Sequence, residues 1–423
     1  MDGAWFYTFR NIAVFFAAVM LLKYYVFLIL APWYDVKDAR RRLRNLQQFY
    51  NDPKKAPYQP RVSVIIPAWN EEVGILRSVE SIIRSTYHNI EVIVVNDGST
   101  DRSHRMMQKY MLNQRAHRRG NEVRVRYFYK NNGGKGAALN HALARVRGDI
   151  VVTMDADSLF SKYAVERLVG YFADPDVDCV VGNVRIANRS TLIGRLQALE
   201  YMFGFYYKRA HCVLGAEYIY GGACSAFRKA TTFDKFGLFD AANKTEDIEM
   251  SMRTKFFGLK SCYAEDVVCY TEGASTIQGL LNQRLRWKKG RFDTFAKYRT
   301  MFFSRDKQHK RSLGWFVLPF SLLAELQLLF EPISVTLLVT YSIISNDFVS
   351  LALGTLFIAV SYLVVGLFSR TLRPSLLFMY PFTWPLFYVL VWIEYIALIR
   401  SAYMSLRGND IEWQQWDRKG ISA

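Results

Sequence analysis

Apolar residues are unevenly distributed along this 423-residue chain. A run from about Ile12 to Pro32 is broken only by Lys23, and about 20 apolar residues suffice for a bilayer-spanning helix. Lys37, Arg40, Arg41, Arg42 and Arg44 follow at once, which places the start of the chain outside and the next segment inside. A polar stretch with Pro53, Pro57 and Pro60 reads as a linker. From Val62 the pattern changes to short apolar runs alternating with helical periodicity. Strands are predicted over Val62–Ile66, Glu91–Val95, Arg124–Tyr129 and Ile150–Met154. Helices are predicted between them over Glu71–Ser85, Asp101–Arg115 and Gly136–Val146. That alternation predicts βαβ units, a parallel sheet, and a ligand at the carboxyl ends of its strands. Residues from about Ser275 to Tyr298 form a basic amphipathic stretch suited to a membrane interface. Further spans are predicted at about Leu326–Ser345, Phe348–Phe368 and Leu386–Ile399, with Leu313–Leu323 interfacial. Three spans would leave the C-terminal tail outside, and a bend at Pro381 and Pro385 would bring it back.

Composition adds little to this division. The net charge of +18 suits nucleic acid in principle, but no nucleic-acid module with its aromatic signature is present, and cytoplasmic flanks of membrane spans are basic in any case. The five cysteines, Cys179, Cys212, Cys224, Cys262 and Cys269, have no CxxC pair and no histidine at zinc spacing, so free buried thiols are expected.

Five polar motifs fall where the strands end or helices begin. Asn96-Asp97-Gly98 follows the second strand; Asp97 either accepts hydrogen bonds from a ligand or merely makes a turn. Gly133-Gly134-Lys135-Gly136 opens a helix, where backbone amides and a lysine suit phosphate. Asp155-Ala156-Asp157 puts two carboxylates on one side of an extended chain, which a hard divalent ion would neutralise. Thr245-Glu246-Asp247 offers a general base, or simply acidic residues at a helix start. In Gln283-Arg284-Leu285-Arg286-Trp287, positions 283, 286 and 287 share a helical face carrying an amide, a guanidinium and an indole. The aromatic stretch Tyr201, Phe203, Phe205, Tyr206 and Tyr207 lines either a core or a sugar path, and Glu325, Glu331 and Glu394 lie in or beside the spans.

In order, VSVIIPAWNEE, VNDGSTD, GGKGAALN, MDADS, TED and QRLRW resemble the processive family 2 glycosyltransferases: cellulose, chitin, hyaluronan and poly-N-acetylglucosamine synthases. The resemblance covers about Val62 to Trp287. The stretches at Asn188–Gly194 and Gly221–Lys229 and the ending Trp416–Gly420 look closest to bacterial poly-β-1,6-N-acetylglucosamine synthases. The resemblance implies an α/β GT-A (Rossmann-like) cytoplasmic domain plus α-helical transmembrane segments in a bacterial plasma membrane. The expected division is a transmembrane helix at 1–34, a basic juxtamembrane linker at 35–60, the GT-A domain at 61–274, an interfacial helix with QRLRW at 275–312, and a transmembrane region at 313–423. It implies donor contacts from Pro67, Glu71, Asp97, Lys135, Asp155, Gln283 and Arg286, and a Mg2+ or Mn2+ ion on Asp155 and Asp157. Asp247 would be the catalytic base, with Glu246 and Trp287 at the acceptor. The implied partners are a UDP-sugar, a growing polysaccharide, the bilayer and, as an open question, a small membrane subunit. The competing enzyme is a non-processive transferase that charges a polyprenyl phosphate, and the competing non-enzyme is a membrane scaffold.

Overall fold

The computed structural model describes residues 25–51, 58–117, 123–346, 348–368, 383–407 and 418–421, with isolated residues 8, 11, 15 and 22. Most of the expected first span, Pro53, Pro57, Pro381 and Trp416–Asp417 lie outside the described residues. The basic stretch expected as a linker is helical: α1 spans Trp33–Asn51. The α/β domain then runs β1 (Val62–Ala68), α2 (Ile75–Ile83), β2 (Ile90–Asp97), α3 (Ser103–His117), β3 (Arg124–Lys130), α4 (Lys135–Leu143) and β4 (Ile150–Thr153). It continues with β5 (Ser158–Phe160), α5 (Ala164–Phe172), β6 (Cys179–Ile186), α6 (Leu192–Leu214), β7 (Ser225–Arg228), α7 (Phe233–Phe236), α8 (Glu246–Phe256) and β8 (Ser261–Thr271).

The sheet order is β3-β2-β1-β4-β7-β6-β8-β5. β1, β2 and β4 are buried along their whole length. Continuous apolar runs of this kind are what a strand covered on both faces requires. α2 buries Ile75, Val79 and Ile82 on one stripe against this sheet. The expected parallel sheet is corrected to a mixed one. β1 pairs parallel with β2 and β4, β2 with β3, and β6 with β8, but β7 pairs antiparallel with both β4 and β6, and β5 pairs antiparallel with β8. β1 lies between β2 and β4, so the chain leaves it in both directions. The resulting crevice at the carboxyl ends collects Pro67, Asp97 and the 155–157 turn.

α9 (Ile277–Lys297) carries QRLRW, and Thr276 caps it by accepting from Gly279 N at 3.1 Å. A π-helical turn at Ser312–Val317 leads into α10 (Leu318–Leu328), followed by α11 (Glu331–Ser345), α12 (Val349–Phe368) and α13 (Thr383–Leu406). Two described stretches, Leu351–Phe368 and Phe387–Leu406, are long and apolar enough to cross a membrane. A third crossing would need the pair Ser312–Leu328 and Glu331–Ile344, bent by 49°. All five cysteines are free thiols, four of them buried. Of the aromatic stretch on α6, Tyr206 is buried, Tyr201 and Phe205 pack on the main core, and Phe203 stacks on Tyr362.

α9 crosses the turn before α8 with almost no clearance. A Cβ on Gly290 would lie 1.9 Å from Thr245 Oγ1 and 2.4 Å from its Cγ2, and Thr245 is itself buried. Gly290→Ala is therefore expected to cost about 1–3 kcal/mol of stability, recovered in part by adding Thr245→Ala. Thermal unfolding of the detergent-purified protein measures this, and an unchanged midpoint for Gly290→Ala would contradict the packing.

Candidate active site

Four separate motifs meet at Lys135, the first residue of α4. Its Nζ lies 2.7 Å from Asp155 Oδ1 and 3.1 Å from Glu246 Oε1. Burial alone would lower the Lys135 ammonium, but Asp155, Glu246 and Asp247 overcome this and hold it well above its ordinary range. Burial likewise works against ionised Asp155, yet Lys135, Arg418 and Arg286 hold that carboxyl below its usual value. For Glu246 the balance goes the other way, and burial pushes it up despite Lys135. Asp247 is held from two sides: Gly222 N donates to Oδ2 at 2.9 Å and Ile248 N to Oδ1 at 2.9 Å. A side chain at Gly222 would press on the acidic centre. A Cβ on it would stand 2.5 Å from Lys135 Nζ and 3.4 Å from Asp247 Oδ2. Pro67 lines a narrow crevice with Lys135, Glu246 and Asp247.

Asp97 ends β2 and organises the glycine loop. It accepts from Gly134 N at 2.7 Å and Gly133 N at 3.1 Å, and pairs with Lys130 at 2.5 Å. The 155–157 segment is a turn rather than an extended chain, so its two carboxylates meet different cations. Asp155 takes Lys135, and Asp157 takes Arg418 of the C-terminal tail. Arg418 also binds Glu71 at 3.0 Å. Burial raises the Glu71 carboxyl to about 7, with Arg418 pulling against it. The tail is further fixed by Glu272, which accepts from Lys419 N at 2.7 Å and Gly420 N at 3.0 Å, and by Arg77, which donates to Ile421 O at 2.9 Å. Gly222, Glu272 and Arg418 were not singled out as site residues from the sequence. Arg418 lies in the ending Trp416–Gly420 noted for its resemblance, but no local pattern gives it or Glu272 a place in the site, since their partners lie far away in the chain. Among the described residues no three His, Cys, Asp or Glu side chains gather as a metal centre.

On α9, Gln283 is buried and no described residue donates to its Oε1. Arg286 reaches the field of Asp155. Trp287 is half-buried, with the Arg284 guanidinium 4.5 Å from its ring centre.

The model of Glycosyl transferase family group 2 matches residues 150–406, and that of Glycosyl transferase family 2 matches residues 63–232. The chain belongs to glycosyl transferase family group 2. It is 28% identical over 232 residues to a poly-β-1,6-N-acetyl-D-glucosamine synthase of Staphylococcus aureus (strain COL), covering 54% of each chain. The chain thus spans about half the length of the S. aureus relatives it matches. The synthase of Staphylococcus epidermidis is 26% identical over 379 residues, covering 85% of this chain and 88% of that one. Among solved structures, a mannosyltransferase from Pyrobaculum calidifontis in complex with GDP-Man and Mn2+ aligns at a TM-score of 0.56 and 21% identity, covering 90% of this chain and 100% of that one. That likeness bears on the fold, which is of the GT-A type that the motifs imply.

In this glycosyltransferase the QRLRW helix is tied to its neighbours by alternating charges. Arg284 binds Glu200 of α6 at 2.6 Å and Glu394 of α13 at 3.2 Å. Lys288 binds Glu394 at 2.8 Å and Glu325 of α10 at 2.6 Å, and Arg291 binds Glu325 at 2.6 Å. Two of the acidic residues noted near the spans, Glu325 and Glu394, are therefore ion-pair partners of α9. Arg284 is 4% exposed, and removing one partner from a buried pair leaves an uncompensated charge. Arg284→Met is expected to lose about 3–5 kcal/mol, read as a lowered thermal midpoint in detergent. A midpoint equal to wild type would contradict the ladder.

Proposed function

We propose that this glycosyltransferase is inverting and processive. It polymerises a UDP-sugar, UDP-N-acetylglucosamine, into a β-linked polysaccharide on the cytoplasmic side of a bacterial plasma membrane and passes it into the membrane. The observation that carries the reading is Asp247. Its carboxylate is pinned by the Gly222 N–H beside Asp155 and Glu246, where an acceptor hydroxyl can lose its proton as it attacks the anomeric carbon. One such displacement turns an α-linked donor into a β-linked product, without the nucleophilic carboxylate that a retaining enzyme uses. Glu246 and Trp287 face the acceptor; Pro67, Glu71, Asp97, Lys135, Gln283 and Arg286 face the donor. The buried Gln283 oxygen without a protein donor suits a ligand N–H or O–H. Arg286 suits the diphosphate, and its fixed charge near Asp155 stabilises the leaving group as negative charge builds. The names of the staphylococcal relatives support the sugar and the polymer.

Asp155 and Asp157 would hold a Mg2+ or Mn2+ ion. Their chemistry fits one, two hard carboxylate donors two positions apart, and the ion would displace the protein cations that each now pairs with, Lys135 and Arg418. When bound, the ion supplies neutralisation of diphosphate charge. The mannosyltransferase solved with GDP-Man and Mn2+ supports this choice.

The tail at 418–421 touches the GT-A domain, so it lies on the catalytic side of the membrane. Among the described residues, an even number of crossings after α9 suits this: the two apolar stretches, with the bent pair re-entrant.

Incubation of the purified protein with UDP-N-acetylglucosamine and Mg2+ is expected to give a polymer. Asp247→Asn should lower the rate by roughly 100-fold or more while UDP binding by calorimetry is kept. A lipid carrying a single sugar, or full activity in Asp247→Asn, would overturn the reading. Arg418→Gln should bind Mn2+ several-fold more tightly in an EPR titration, because arginine and ion claim the same Asp157 oxygen. An unchanged affinity would show that they do not compete.

A further inference from the structure

α1 presents its two sides in an unusual way. Its inner side is partly charged and fully occupied. Tyr34 is buried and donates to Tyr263 O at 2.9 Å. Arg41 lies 3.3 Å over the Tyr171 ring and binds Asp38 at 2.6 Å, while Arg42 reaches Asp38 at 2.8 Å and Asp266 at 3.1 Å. The outer side carries the apolar residues: Trp33, Val36 and Leu43 are 59%, 42% and 58% exposed. Lys37, Arg40 and Arg44 stand among them, and the six positions fall on one helical stripe at i, i+3, i+4, i+7, i+10 and i+11. They line an open groove of about 760 Å3 that reaches the end of α6. Lys37 donates to Cys212 O there at 2.6 Å, and Arg44 lies 4.0 Å from Asp174.

A helix of a soluble domain turns its apolar stripe inward. This one turns its apolar stripe and three of its five cations outward. A bilayer surface wants that combination. Tryptophan settles at the headgroup level, arginine and lysine lay their stems on apolar surface while their heads reach charge, and cations near an anionic leaflet gain from its potential. α1 also follows, after a turn at 31–32, the helical residues 25–30 of the apolar run. We propose that the α1 groove seats the headgroup of an anionic phospholipid in the leaflet on the catalytic side, with Lys37, Arg40 and Arg44 around the phosphate. Because Tyr34 and Arg41 clamp α1 to the GT-A domain, the lipid sets the height of the active site above the membrane. The proposal rests on the membrane reading above.

The test is reconstitution of the full chain into nanodiscs of phosphatidylcholine with phosphatidylglycerol, followed by gentle delipidation and native mass spectrometry. The wild type should retain phosphatidylglycerol in preference to phosphatidylcholine. Arg40→Gln with Arg44→Gln should reduce that preference by roughly tenfold, while Arg42→Gln, already paired inward, should not. Trp33→Gln, which leaves every charge in place, should weaken retention on its own, and UDP binding by each variant reports that it is folded. Equal retention of both lipids by the wild type, an unchanged preference in the double variant, or displacement of the lipid by millimolar inorganic phosphate would overturn the proposal. A chain that does not enter nanodiscs at all would instead overturn the membrane reading.

Discussion

The buried ammonium of Lys135 is what allows carboxylates from distant parts of the chain to share one small volume. Asp155 arrives from β4, and Glu246 and Asp247 from the start of α8, and none of them could be packed together ionised without a positive charge between them. Lys135 is in turn placed by the glycine loop, which Asp97 shapes by accepting from two of its amides. Carboxylates from two distant segments are thereby brought to a common point by one cation and one bent loop. Gly222 closes the arrangement from the other side, where a Cβ would push against the Lys135 ammonium.

Two further contacts fix what surrounds that point. Gly290 lets α9 run against Thr245, so the helix with Gln283, Arg286 and Trp287 is held at the edge of the acidic centre. The ladder from Glu200 through Arg284, Glu394, Lys288 and Glu325 to Arg291 then joins α9 to the apolar C-terminal helices. A displacement of the C-terminal helices would be felt by the ion pairs first and by Trp287 next, since Arg284 lies over its ring.

Much of this was legible in the sequence, for a physical reason. Strands such as Val62–Ala68 and Ile90–Asp97 are buried on both faces and write themselves as unbroken apolar runs, and the polar motifs fall directly after them. Strand direction is another matter. β7 runs antiparallel because of how the chain returns after α6, and nothing in Ser225–Arg228 itself encodes that. α1 read as a linker because its mean polarity hides a stripe whose apolar side faces outward. The site residues taken from motifs do converge, with Lys135 amid the acids. Asp155 and Asp157, expected to face one ion from an extended chain, instead part at a turn toward Lys135 and Arg418. Arg418 and Glu272 could not have been found from local pattern, because their partnership is made only when a tail more than a hundred residues away folds back onto the domain.

The central claim is that the charge of Lys135 organises the reacting centre. The most direct measurement is the rate of sugar incorporation by Lys135→Met beside the wild type, with folding checked by thermal unfolding. A folded Lys135→Met protein should lose on the order of 100-fold in rate, with UDP–metal binding weakened as well. A folded variant that transfers sugar at the wild-type rate would contradict the claim.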